Sequence, residues 1–598
     1  RRGRFAEAQK YFDRAIKTQT ERNPNPYEGE PYYNLGWSKK MQGDIDGAYD
    51  AFFKATWNAA WQDSGYMGLA QIDMIREDYA NGLDHIDRSL YRNWLNHKGR
   101  QLKVSFLRKT GDFAKAEALI NDSLAMDKFN MGCRFESYLI HTLQGNTEAA
   151  AAAKAEMKSL MRGAVHSYLE YAIDYASAGM YEEAAQLLSF VTEENEATYP
   201  MVYYALGYFA SKMGKKDEAL NLYKKAETMC PDYCFPNKLE EVLMLNDAMS
   251  LNPEGAKAPY YLGNFHYAAR IYDEAVACWE KSASIDDTYP TVLRNLSLAY
   301  YNKQHNPQKA LATLEKAYNL DTTDARILME LDQLYKKLRY PHRQRLDFLE
   351  AHADVVEQRD DLCIERITLY NQLGEYQKAY DLINSRKFHP WEGGEGKVTS
   401  QYLLCRVELA KIAIREGRFA DAVRLLKETE KYPDNLGEGK LSMAEENDIH
   451  YWMGCAYEGL GEEALAKEYF TKATKGSAEP AIAFFYNDQQ PDKIFYQGLA
   501  WRKLGEEDKA RSRFNRLIKH GEKHLFDKVK IDYFAVSLPD LLIWDDDLNV
   551  RNQIHCNLVM GMGYLGLGDK EQARKFLSEV ARLDINHQAG KQLLEMCD

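Results

Sequence analysis

The sequence predicts an all-α fold, a solenoid of helix–turn–helix repeats wound as a right-handed superhelix, and three observations carry it. A glycine followed five residues later by an alanine recurs along the whole chain. The copies begin at Gly3, Gly43, Gly111, Gly145, Gly179, Gly214, Gly374, Gly417, Gly461, Gly505 and Gly568. Degenerate copies begin at Glu77, Arg270, His305 and Arg339. Successive markers from Gly43 to Gly214 lie 34, 34, 34, 34 and 35 residues apart, and those from Arg270 to Gly374 lie 35, 34 and 35 apart. Between markers, aromatic and small residues return at helical spacing.

The stretch 203–231, "YYALGYFASKMGKKDEALNLYKKAETMCP", is the fullest copy. Tyr203, Leu206 and Gly207 match the start of a first helix A in the pattern W-x-x-L-G. Ala219, Tyr223, Ala226 and Pro231 match the second helix B and its stop. Period and pattern together are those of the tetratricopeptide repeat (TPR). Each residue type has a mechanical reason. The turn glycine permits backbone angles that side chains forbid. Small residues at the A/B contact let two helix axes approach, and the aromatics fill the space between neighbours. About fifteen units follow, expected to touch only their nearest neighbours.

The boundaries follow from where the period holds and where it breaks. Residues 1–231 read as a regular array. Its first repeat lacks helix A, so the expectation is that further chain precedes Arg1 in the natural protein. Residues 232–256 read as an inserted helix carrying Leu239, Val242, Leu243 and Leu245. It lies where one step lengthens to 56 residues, and is expected to bend or close the superhelix. Residues 257–386 resume the array. In 387–520 the steps grow to 43, 44 and 44, which implies extended loops between repeats. Residues 521–598 form a terminal unit with an insertion and a capping helix, "HQAGKQLLEMC".

Bulk properties exclude several functions. A net charge of −13 opposes nucleic-acid binding, which needs a basic face. No apolar run has the length of a membrane span. The nine cysteines are scattered, with no zinc-site spacing, and suit a reducing, cytoplasmic setting. No cofactor or metal motif stands out. In "DDDLN" (545–549) a calcium loop would need glycine where Val550 stands and glutamate where Cys556 stands.

The candidate site lies in the extended loops. Pro-x-x-x-Gly-Glu-Gly-Lys occurs at Pro390–Lys397 and again at Pro433–Lys440. It is not a phosphate loop, because Trp391 replaces the first glycine and Val398 the final Ser/Thr. One reading is structural: a glycine turn with Glu395 or Glu438 favouring the helix start that follows. The other is a ligand rim of His389, Trp391, Glu392, Glu395 and Lys397 beside Glu438, Lys440 and, from "EENDIHYW", His450. Trp beside carboxylates suits a sugar, whose CH face stacks on the ring while its hydroxyls need acceptors. Separately, Tyr33, Phe135, Tyr204, Tyr260, Tyr451 and Phe495 share the fifth position of helix A. Helix A lines the concave face of a TPR array, so one reading has these rings form a groove that anchors an extended ligand, and the other has them partly buried against the adjacent helix.

Several stretches go beyond the repeat pattern, among them "FHPWEGGEGKV", "ENDIHYWMGCAYEGLG" and "EKHLFDKVKIDYFAVSLPD". With them the chain resembles the C-terminal TPR half of large Bacteroidetes-type bacterial proteins. These begin with a β-sandwich domain of unknown function, similar to mutarotase-like sandwiches. The resemblance implies an upstream β-rich domain and an association with carbohydrate through it. The expected function is a non-catalytic scaffold that binds a protein partner or that N-terminal domain. The alternative is a carbohydrate-binding or carbohydrate-processing protein to whose site the 388–452 loops contribute.

Overall fold

The computed structural model describes residues 2–25, 28–192, 199–391, 393–442, 444–481, 489–530 and 543–597. Among these it contains helices and no strand. The chain divides into two compact units, Arg1–Val292 and Leu293–Asp598.

Unit 1 opens with α1 (Phe5–Thr20). Hairpins follow: α2 (Glu30–Met41) with α3 (Ile45–Ala55), α4 (Gln62–Ile75) with α5 (Tyr79–Arg92), and α6 (His97–Lys109) with α7 (Phe113–Met126). Next come α8 (Met131–Leu143) with α9 (Thr147–Met161), α10 (Val165–Ser177) with α11 (Tyr181–Thr192), and α12 (Met201–Lys212) with α13 (Lys216–Glu227). The inserted α14 (Leu239–Leu251) precedes the hairpin of α15 (Lys257–Ala268) and α16 (Tyr272–Ile285).

Unit 2 begins within α17 (Pro290–Asn302), which is followed by α18 (Pro307–Leu320), then by α19 (Ala325–Lys337) with α20 (His342–Ala351) and the short α21 (Ala353–Val356). It continues with α22 (Asp360–Gln372) and α23 (Tyr376–Asn384), α24 (Lys397–Arg415) and α25 (Phe419–Lys427), and α26 (Asn447–Gly459) and α27 (Glu463–Ala473). It ends with α28 (Pro491–Lys503) and α29 (Glu507–His524), α30 (Leu548–Leu567) and α31 (Lys570–Leu583), and α32 (Gln588–Glu595).

The marker residue is the hinge of each hairpin. All eleven marker glycines have positive φ, between 72° and 85°. So do the four degenerate positions: Glu77, Arg270, His305 and Arg339 have φ of 55°, 61°, 51° and 62°. The geometry is a Schellman stop. Asp44 N–H bonds to Lys39 C=O at 2.9 Å, and Asp112 N–H to Leu107 C=O at 2.9 Å. Where the residue after the glycine is Asp or Asn, its side chain then caps the next helix. Asp44 accepts from Gly47 N–H, and Asn146 from Ala149 N–H.

A second regularity locks A against B. A Cβ on Gly36 would stand 2.6 Å from the Phe52 ring. Gly207 meets Tyr223 in the same way, Gly263 Trp279, Gly454 Phe470, Gly498 Phe514 and Gly561 Leu577. Every pair is sixteen residues apart. The large partner is buried in each, and its removal from water contributes about 1.5–3 kcal/mol.

The array is not limited to contacts between neighbouring repeats, which corrects the sequence expectation. In unit 1 a Cβ on Gly3 would touch Val242 of α14 at 3.4 Å, and Arg4 pairs with Glu274 of α16. Gly179 sits against Ile75, and Lys98 pairs with Asp174 at 2.6 Å. In unit 2 the terminal residues return to earlier hairpins, meeting a hinge residue, a residue of α20 and a residue of α24. Arg339 donates to Leu583 C=O at 2.7 Å, Arg345 to Asn586 at 3.3 Å, and Gln401 to Gln588 at 2.9 Å. The closing helix α32 is therefore more than a cap. These contacts reach a buried polar layer that includes the pair of Arg345 on α20 and Asp332 on α19 at 2.7 Å.

Candidate functional site

The two Gly-Glu-Gly-Lys loops pack on each other. Phe388 N–H donates to Asn435 C=O at 2.7 Å, and Asn435 Nδ2 donates to the carbonyls of Ile383 and Arg386 at 2.9 Å. The copies differ in shape. In the first, Gly396 has φ 74° and caps α24. In the second the positive φ falls on Gly437, which corresponds to Gly394. Identical residues thus take different backbone paths. Glu438 accepts from Gly396 N–H at 2.9 Å. It therefore serves a helix start, as the sequence suggested, but that of α24 and not of the helix following it. Burial pushes its pKa up.

The proposed rim residues fall into separate environments. The Trp391 ring lies on Gly394, where a Cβ would stand 2.0 Å from it. Glu395 and Lys397 are exposed. His389 is exposed and its N–H donates to Asp360 at 2.8 Å. Lys440 pairs with Glu446 and donates to Glu430 C=O at 3.2 Å. His450 faces Tyr469, 6.1 Å between centroids, and burial pushes its pKa down. Glu392 lies outside the described residues.

The aromatic stripe is not an open groove. Phe135, Tyr204, Tyr260 and Phe495 are buried. Tyr33 is enclosed by Trp37, Phe52 and Trp61, and Tyr451 by Trp452, Phe470 and Tyr496. The fifth position of helix A faces helix B and the next repeat, where large rings are needed to fill the seam. Acidic "DDDLN" is likewise engaged within the chain: Asp547 caps α30, and Asp545 N–H donates to the distant Asn302 at 2.8 Å. No metal-holding cluster occurs among the described residues.

Unit 1 holds a cavity of about 880 Å³ that the sequence reading missed. Its walls include Trp37, Lys40 and Met41 from the end of α2, Tyr208 and Lys212 from the second half of α12, and Leu243, Met244 and Asp247 from the inserted α14. Five methionines line it, Met41, Met74, Met180, Met213 and Met244. Among the charged lining groups are Lys40, Lys109 and Lys212 against Glu77, Glu182, Glu183, Glu240 and Asp247. The wall is fixed by a buried network. Arg108 donates to Glu136 at 2.7 Å and Glu183 at 3.1 Å, Tyr175 donates to Glu136 at 2.9 Å, and Lys109 pairs with Glu183 at 2.6 Å. Lys40 Nζ lies 2.6 Å from Gln71 Oε1 and 4.8 Å from the Trp37 ring centroid. Enclosure by the wall pushes its pKa down to about 7, with Glu240 opposing. No single motif marks this cavity, because its residues are spread over helices 30 to 200 positions apart.

Residues 202–233 and 448–475 match one tetratricopeptide-repeat profile, and 494–520 match a second. The chain thus carries TPR repeats, and its fold is an all-α TPR solenoid. Among solved structures it is similar to a tetratricopeptide-repeat protein from Parabacteroides merdae, at 17% identity over 42% of this chain and 92% of that one, TM-score 0.27. It is similar to pilF of Pseudomonas aeruginosa, at 19% identity over 37% and 90%, TM-score 0.23. It is similar also to YrrB, a TPR protein with an unusual peptide-binding site, at 15% identity over 41% and 95%, TM-score 0.15. Likeness of this degree extends to the repeat type alone. No helix of the described residues is long and apolar enough to cross a membrane.

Proposed function

We propose that the protein is a non-catalytic TPR scaffold whose unit 1 cavity receives a segment of a partner protein. The observation that supports this reading is the cavity itself, lined by five methionines together with lysine and acidic side chains. Methionine side chains adapt to varied apolar shapes, which suits a protein segment more than one rigid small molecule. The protein's own N-terminal β-sandwich domain, inferred from the sequence resemblance, is one such partner. The carbohydrate reading of the 388–452 edge gains no support from the geometry, since Glu438 and Lys440 are engaged by protein groups and Trp391 lies on Gly394.

A photo-crosslinking amino acid at Met244 in the cavity, with a control at the exposed Tyr91, tests the proposal in cells. The expected result is a discrete crosslinked product from Met244 that the control lacks. Equal patterns from both positions would overturn it.

A further inference from the structure

In unit 2 the segment Ile543–Asp546 lies across α17 and α19 in the manner of a bound peptide. Trp544 is the anchor: it is 1% exposed, its indole N–H donates to Glu330 C=O at 3.0 Å, and its ring meets Tyr301 edge-on at 5.2 Å. Asn302 grips the backbone on both sides of that anchor. Its Nδ2 donates to Ile543 C=O at 2.8 Å, and its Oδ1 accepts from Asp545 N–H at 2.8 Å. Two lysines read the acidic residues that follow. Lys303 lies 3.3 Å from Asp545, and Lys337 lies 3.0 Å from Asp546.

These contacts have the parts of a recognition site. A pocket selects an aromatic side chain, a side-chain amide satisfies a peptide unit whatever its sequence, and paired cations select carboxylates. The seat is held by its own network, independent of the segment. Arg294 donates to Glu330 at 2.7 Å, and Arg326 donates to the same carboxylate at 3.1 Å. Both arginines come from α17 and α19 themselves, so these bonds to Glu330 do not require the segment. The helix that follows the segment, α30, packs on α29 and into a separate core cluster with Phe514 and Leu577. Its placement does not depend on Trp544.

We propose that this α17–α19 face is a binding site for extended peptides in which tryptophan precedes two acidic residues, and that residues 543–546 fill it in cis. A partner segment of the same chemistry then competes with the internal one. The inference goes beyond the unit 1 reading and stands without it. A tethered competitor acts at an effective concentration on the order of millimolar, so an external peptide of micromolar intrinsic affinity is weakened about a thousandfold.

The test is fluorescence anisotropy of a labelled peptide of residues 543–550 titrated with the full chain. The parent protein should bind it only weakly. Trp544→Ala, which vacates the pocket, should bind at least tenfold more tightly. Adding Asn302→Ala, or replacing the peptide's aspartates by asparagine, should remove that gain. A second variant guards against misfolding: Asp545→Lys with Asp546→Lys sets lysine against lysine while leaving Trp544 in place, and should also bind at least tenfold more tightly than the parent. A folded variant of either kind that binds no better than the parent, or an asparagine peptide that binds as well as the acidic one, would overturn the proposal and leave a structural strap.

Discussion

Gly263→Ala tests the sixteen-residue lock where its partner is a hydrogen-bonded tryptophan. A Cβ at this position would stand 2.4 Å from the Trp279 ring, and ordinary contact begins near 3.4 Å. The indole must therefore retreat by about 1 Å. It is 3% exposed, and its N–H is shared between Tyr260 C=O at 3.2 Å and Asn264 Oδ1 at 3.1 Å. Overpacking costs about 1–3 kcal/mol. Stranding the indole N–H costs about 1–3 kcal/mol more. Better helix propensity returns about 1 kcal/mol. The net loss is about 3 kcal/mol, taking the middle of these ranges. Because repeat arrays unfold locally, the assay is native-state hydrogen exchange on the α15–α16 amides, with urea denaturation alongside. Gly214→Ala is the control. Its Cβ meets nothing, so only the positive φ of 77° is penalised, by about 1 kcal/mol. Protection in α15–α16 that is unchanged or increased by Gly263→Ala would refute the close contact. Trp279→Phe in the Gly263→Ala background should recover part of the loss.

Three further outcomes are expected. Lys40, held at about 7, should react with an amine-directed reagent at pH 7.5 ahead of exposed lysines, as read by peptide mass spectrometry; reaction no faster than theirs would argue against its enclosure. Burial depresses His555 from 6.5 to about 4, so the unfolded chain binds more protons across that window and stability falls as pH drops through it. Replacing His555 by Gln should flatten that fall in a series of melting temperatures. Glu438→Ala should cost about 1 kcal/mol and raise exchange in the first turn of α24, by loss of its bond to Gly396.

The repeat architecture was legible because its two signals are local. The hinge residue needs a left-handed backbone, and the helix contact needs a small residue opposite a large one. Both lie within one hairpin, so a fixed spacing exposes them. Even the degenerate hinge at Glu77 was found by register where its residue type gave no hint. The site was less legible. The fifth-position rings Phe135 and Tyr204 look the same in sequence whether they face a groove or a seam, and packing across repeats decides. The cavity and the Trp544 contact join residues far apart in the chain, and no spacing records them. The Gly-Glu-Gly-Lys echo misled in the opposite sense, since equal residues at Gly396 and Gly439 adopt different conformations.

The distance along the chain between Trp544 and its seat also bears on synthesis. Each sixteen-residue lock can form as soon as one hairpin has left the ribosome, and low sequence separation makes that step fast. Trp544 meets Glu330 across 214 residues, and Arg339 meets Leu583 across 244. At roughly 5–20 residues per second, the α17–α19 face stands complete and unfilled for at least ten seconds before its own segment emerges. The nascent chain thus passes through a period in which that surface is open to the surrounding medium, and a stalled or shortened chain would keep it so.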